Sequence, residues 1–124
     1  MLELDSSRSP WSQGTKYSQA IIQPVEKPLK AVLRVPGSKS FTNRALIIAA
    51  LAEGSSTIGG ILKSDDSYWC IDALKRIGLA VEVEGDQVHI EGTAGRWPKE
   101  EAQLFLGAAG TLARFLPGAL AAGQ

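Results

Sequence analysis

The sequence predicts an α/β (α+β) fold, and three observations carry that prediction. Segments rich in β-formers change places with segments whose apolar residues recur at helical spacing. Glycine or proline falls at almost every boundary between them. Serine caps at Ser38 and Ser64, the second followed by Asp65 and Asp66, stand where the helical pattern begins.

Taken in order, residues 1–28 are polar and turn-rich, with Pro10, Gly14, Pro24 and Pro28, and read as a leader plus a short edge strand at Ala20–Gln23. Lys30–Val35 (KAVLRV) alternates tolerably and reads as a strand, which Pro36-Gly37 ends. From Ser38 to Glu53, Phe41, Ala45, Ile48, Ala49 and Ala52 keep helical spacing. Leu46, Ile47, Ala50 and Leu51 fill most other faces, so this helix should be largely buried, with Gly54 as its stop. Ser55–Leu62 reads as a strand with a break at Gly59-Gly60. Ser64 then caps a second helix, whose inner stripe is Cys70, Ile71, Leu74 and Ile77 and whose end is Gly78. Leu79–Val83 and Gln87–Glu91 read as a hairpin across Glu84-Gly85-Asp86. Gln103–Leu106 reads as a further strand. Beyond the turn at Gly107–Gly110, a third helix runs through Thr111, Leu112, Phe115, Leu116, Ala119 and Leu120. No closing element follows that helix, which suggests the front part of a longer protein.

Composition narrows the function. A chain of 124 residues with 44% hydrophobic and 21% charged residues suits one domain or a piece of a larger one, and is no disordered tail. One cysteine excludes an internal disulfide framework and a cysteine-rich zinc site. Thirteen bases against thirteen acids argue against a general nucleic-acid binder. Residues 1–14 lack the apolar core of a secretory signal, and the longest apolar run, Ala45–Ala52, is far below the roughly 20 residues that cross a bilayer. A soluble, cytoplasmic protein is expected. The charge is unevenly spread: residues 1–63 hold eight bases and four acids, residues 64–124 five bases and nine acids. Chance partition explains this, and so does an anion docking against the first half.

Two places bring a small-residue turn to a helix start. In Pro36-Gly37-Ser38-Lys39-Ser40-Phe41-Thr42-Asn43-Arg44, the free amides of the first turn meet a hydroxyl, an ammonium and a guanidinium. Lys39 and Ser40 lie in that turn, and Arg44 falls one turn beyond Ser40 on the same face. Such a group can hold a phosphate or a carboxylate. The alternative is a plain Ser38 cap with two solvated cations. A nucleotide P-loop is ruled out, because Ser38 separates Gly37 from Lys39 and Val32 stands where the earlier glycine would be. The second place, Leu106-Gly107-Ala108-Ala109-Gly110-Thr111-Leu112-Ala113-Arg114, repeats the physics, though its glycines could serve packing alone.

Other candidates are weaker. Asp65 and Asp66 fit a helix start better than a metal site. His89 alternates with Val88 and Ile90 and should face solvent. Cys70 lies on an apolar stripe, as a core residue rather than a nucleophile. Trp11, Trp69 and Trp97 have no spacing that suggests a stacking platform.

Four blocks in order resemble the N-terminal part of 5-enolpyruvylshikimate-3-phosphate synthases. They are Val35–Leu46 (VPGSKSFTNRAL), Ala49–Gly54 (AALAEG), Leu62–Asp66 (LKSDD) and Leu104–Thr111 (LFLGAAGT). The likeness covers residues from about 20 to 124. It implies an enolpyruvyl transferase domain built of βαβαββ units, of which residues 29–124 would hold one and a half, behind a leader at 1–28. It also implies transfer of the enolpyruvyl group of phosphoenolpyruvate to the 5-hydroxyl of shikimate 3-phosphate, with release of phosphate and no metal or organic cofactor. By that resemblance, Lys39 contacts both substrates and takes part in catalysis. Ser40 and Arg44 hold the shikimate phosphate, Gly110 offers its backbone to phosphoenolpyruvate, and Asp66, Thr111 and Arg114 stand behind them.

The chemistry is addition and then elimination, and it needs acid and base groups with fixed cations around developing charge. The family draws several of these from its C-terminal half, so the missing C-terminal part is the implied partner, and the chain alone is expected to be inactive. No nucleic acid or membrane partner is implied. Ala108 stands where the family usually has asparagine, which puts affinity for phosphoenolpyruvate and its mimics in question. Phe115 stands where proline is frequent. The enolpyruvyl transferases that act on a UDP-sugar share the fold, but their motif lacks Ser-Lys-Ser…Asn-Arg and their reactive cysteine does not map onto Cys70. A non-catalytic anion-binding module, or a complementation fragment, is the alternative from another class.

Overall fold

A computed structural model describes residues 7–12 and 18–123. Its elements are α1 (Lys39–Leu51), β1 (Glu53–Ile58), α2 (Asp65–Ile77), β2 (Val81–Glu84), β3 (Gln87–Thr93) and α3 (Gly110–Ala122). The strands form one antiparallel sheet in the order β1-β3-β2.

Local chemistry sets most boundaries. The Ser38 hydroxyl accepts from the Phe41 N–H at 3.4 Å and opens α1. Ser64 and Ser67 close a reciprocal capping box at the start of α2, where Asp65 and Asp66 meet the positive end of the helix. Gly78 ends α2 at φ 108°, a left-handed position suited to glycine. Between β2 and β3, Glu84 pairs with Gln87 across Gly85-Asp86, and Gly85 takes φ 59° as the tight hairpin turn requires. α3 has no side-chain cap and carries Pro117 inside, which removes one rung of its hydrogen-bond ladder.

The core lies where α1 and α2 cover one face of the sheet and α3 packs on the two helices. Leu46, Ile47 and Ala50 from α1, Cys70, Ala73, Leu74 and Ile77 from α2, Val81, Val88 and Ile90 from the sheet, and Leu112 and Leu116 from α3 are all buried together. Register explains the sheet's share: Val88 and Ile90 point inward, while His89 between them pairs with Thr57 and Glu82 on the outer face. Burial pushes the Cys70 thiol up to about 12, so it is neutral and serves as core. His89 is only partly exposed, and its Nδ1 lies 3.0 Å from the Thr57 hydroxyl.

Three expected strands are absent. Ala20–Gln23, Lys30–Val35 and Gln103–Leu106 have no strand partner among the described residues and form no ladder. The apolar side chains of the middle segment stand in solvent, with Val32 fully exposed and Leu33 83% exposed. β-propensity describes a fit to a neighbour, and these segments lack one. The expected strand Ser55–Leu62 begins earlier and ends at Ile58. α1 stops at Leu51 with Ala52 as its cap, so Gly54 is no helix stop. It lies in β1 at φ 81°, opposite Gly92. Among the described residues no helix is long and apolar enough to cross a membrane.

Candidate functional site

The first-turn region of α1 is built against the loop that follows β1. A Cβ on Gly37 would lie 2.1 Å from the Gly60 carbonyl oxygen and 2.9 Å from the Leu62 nitrogen, so only glycine fits this approach. One turn later, the Thr42 hydroxyl accepts from the Leu62 N–H at 3.1 Å. The Leu62 carbonyl in turn accepts from the Ser67 hydroxyl at 2.5 Å. Leu62 thus ties the beginnings of α1 and α2 together, and Lys39 Nζ reaches Asp66 Oδ2 at 3.3 Å across the join.

α3 begins at the same end. Its entry turn lies against α2, where a Cβ on Gly107 would come within 2.7 Å of the Trp69 ring. Trp69 also meets Phe105 edge-on at 4.8 Å between centroids. Five residues into α3, the Phe115 ring lies under the Arg44 guanidinium, 5.3 Å from its centroid; Arg44 is itself five residues into α1. Three helix N-termini therefore gather at one end of the molecule, each with amides lacking intrahelical partners. That end is disposed to hold negative charge.

The structure treats the sequence-derived candidates unequally. Lys39 is about half exposed and stands at the meeting of α1 and α2. Ser40 is half-buried in the first turn of α1. Arg44 turns to Phe115 and helps line a small apolar hollow with Ile47 and Ile48, to which Lys39 contributes nothing. The two cations expected to converge thus have separate partners, Lys39 at α2 and Arg44 at α3. The hold on Arg44 is light, since an exposed cation–π contact is worth about 0.5–1 kcal/mol, whereas half-exposed Lys39 pairs with a carboxylate that is only 15% exposed. A charge-assisted hydrogen bond to phosphate contributes about 1.5–3 kcal/mol, enough to draw Arg44 away.

Gly110 opens α3 with empty space where a Cβ would be, so packing does not demand glycine there. Its N–H donates to the Ala108 carbonyl at 2.9 Å and would have to exchange that bond for a ligand. Thr111 is half-buried, and Arg114 is exposed on the next turn.

The two acids at the start of α2 differ. Asp65 accepts from the Ser9 N–H at 2.8 Å and the Ser9 hydroxyl at 2.6 Å. Burial pushes its carboxyl up, but the hydrogen bonds from Ser9 and Ser12 and the charge of Arg8 outweigh that and hold it below the ordinary value. Asp66 Oδ2 is buried and accepts no hydrogen bond, facing only Lys39. Sequence reasoning passed over two residues. Thr42 is the stitch to Leu62, and Asn43 is fully buried with neither amide atom hydrogen-bonded. A polar residue one helical turn before Leu46 and Ile47 and two before Ala50, on their buried stripe, was the available signal for Asn43.

The model of the EPSP synthase family (3-phosphoshikimate 1-carboxyvinyltransferase) matches residues 24–124. The chain belongs to the EPSP synthase family. It is 50% identical over 117 residues to a 3-phosphoshikimate 1-carboxyvinyltransferase of Halalkalibacterium halodurans, covering 94% of this chain and 26% of that protein. It is 40% identical over 118 residues to the chloroplastic enzyme of Arabidopsis thaliana, covering 90% of this chain and 22% of the other. The solved EPSP synthase of Acinetobacter baumannii superposes with a TM-score of 0.65 at 32% identity, over 71% of this chain and 20% of that one. The chain thus spans about a quarter of the length of the curated EPSP synthases it matches. Its helices and small antiparallel sheet fit an α/β portion of the enolpyruvyl transferase fold.

Proposed function

We propose that this chain supplies part of the site in which an EPSP synthase binds shikimate 3-phosphate and phosphoenolpyruvate. The observation that carries the reading is the position of Lys39, at the meeting of helix starts in a chain that matches the family from residue 24 to 124. In this reading Lys39 faces both anions, Ser40 and Arg44 take the shikimate phosphate, and the turn at Gly110 receives phosphoenolpyruvate, with Asp66, Thr111 and Arg114 behind them. The reaction moves the enolpyruvyl group to the 5-hydroxyl of shikimate 3-phosphate and frees phosphate. Fixed cations and helix amides suit such a site because charge develops on oxygens that they already face.

The chain by itself does not turn over substrate, since the reading draws further acid, base and cationic groups from elsewhere in the enzyme. Ala108 offers no side-chain amide to the turn that would hold phosphoenolpyruvate, so affinity for that substrate is lower than an asparagine there would give. The test is calorimetric titration with shikimate 3-phosphate. Binding that falls at least tenfold in both Lys39→Ala and Arg44→Ala supports the site, in line with about 1.5–3 kcal/mol per charge-assisted contact. Binding indifferent to both substitutions refutes it. Phosphate release from the two substrates by the chain alone would refute its dependence on other groups.

A further inference from the structure

We propose that Asn43 is a positioning residue of the anion site, whose unpartnered carboxamide oxygen gains a hydrogen bond when an anion draws Lys39 inward. The proposal rests on the reading of the α1 start as the shikimate 3-phosphate site.

Asn43 has no exposed surface, and both its Oδ1 and its Nδ2 lack a hydrogen-bond partner. A buried amide in that state is costly, and an apolar residue of similar volume would remove the cost. Its stripe-mates Leu46, Ile47 and Ala50 show that the surroundings accept apolar side chains. Helical side chains lean toward the N-terminus, so the amide of Asn43 covers the turn before it, the one that carries Lys39 and Ser40. Asp66 Oδ2 is buried as well and makes no hydrogen bond, and its ion-pair partner is Lys39, at 3.3 Å. Lys39 thus pairs with Asp66, while Asn43 follows it by four residues in α1 with its hydrogen-bonding capacity open. When that ammonium turns from Asp66 toward a bound anion, Asn43 Oδ1, four residues on along the same face, accepts one of its three hydrogens and fixes the new rotamer. Asn43 acts through Lys39 and does not touch the reacting atoms.

The test is Asn43→Leu in the full chain, read by thermal unfolding, by titration with shikimate 3-phosphate, and by the side-chain amide signal of Asn43 in nitrogen-edited NMR spectra of the wild type. The expected outcome is an unchanged or higher Tm together with affinity weakened at least about tenfold, the loss of one charge-assisted hydrogen bond. The Asn43 amide signal, identified by its disappearance in the variant, moves on titration. A lower Tm overturns the proposal whatever happens to binding, because the amide then has partners before any anion is added. An unchanged affinity overturns it as well, and so does an amide signal that stays still at saturation. If the wild type itself fails to bind shikimate 3-phosphate, the site reading fails first. A wild type that binds, beside an Asn43→Leu variant that binds equally well, refutes the role of Asn43 alone.

Discussion

Gly37→Ala tests the construction of the site most directly. The added carbon would stand 2.1 Å from the Gly60 carbonyl oxygen and 2.9 Å from the Leu62 nitrogen, where ordinary contact begins near 3.4 Å. Both obstacles are backbone, so no side chain can swing aside. The Pro36–Ser38 segment and the Gly60–Leu62 loop must part by about 1 Å, the kind of overpacking that costs about 1–3 kcal/mol. Parting them also pulls Leu62 from the Thr42 hydroxyl, so binding falls along with stability. Gly59→Ala is the matched control, because nothing lies within 4 Å of its added carbon and its backbone is not left-handed. That change should be neutral or stabilise by about 0.4–1 kcal/mol through the unfolded chain. At about 4 °C of Tm per kcal/mol, Gly37→Ala should melt roughly 4–12 °C below the wild type and Gly59→Ala at or slightly above it. Equal melting temperatures for the two variants would refute the claim that this close approach organises the start of α1.

Three further outcomes follow from the same geometry. Thr42→Val keeps the shape but strands the Leu62 N–H, so the urea midpoint should fall by the equivalent of about 1–3 kcal/mol, while Thr42→Ser retains most of the stability. Asp65 is held below its ordinary value of about 3.9, so it contributes stability above that value and loses it as pH falls through the lower folded one. Ser9→Ala should flatten that acid limb in denaturation measured between pH 5 and pH 2, where the wild type is steeper. Cys70, neutral and buried, should resist a thiol reagent at pH 8 in the native protein and react at once in urea; labelling of the folded chain would contradict its place in the core.

What could be read from the sequence was what is locally determined. Ser64 and Ser67 close a box within one turn, Gly78 supplies its own left-handed stop, and Gly85 makes its own hairpin, so α2, β2 and β3 lie close to where pattern and caps put them. Lys30–Val35 has β-forming residues too, but a ladder is completed by a neighbour that no local pattern supplies. The site divides in the same way. Ser38 as the α1 cap and the acids at the start of α2 were legible because helix ends advertise themselves. The separation of Lys39 from Arg44 was not, because the pull of Asp66 on one and of the Phe115 ring on the other depends on how α2 and α3 are laid beside α1. Asn43 stood in the first motif without a role, because spacing gives its face but not its lack of partners.

The shared beginning of α1, α2 and α3 sets like partial charges side by side. Rods with like poles side by side repel, and here three of them are held together by the apolar packing below. Background electrolyte should therefore relieve this corner of the protein, whereas it weakens most surface ion pairs. A multivalent oxyanion such as sulfate, settling there, should act as a clasp.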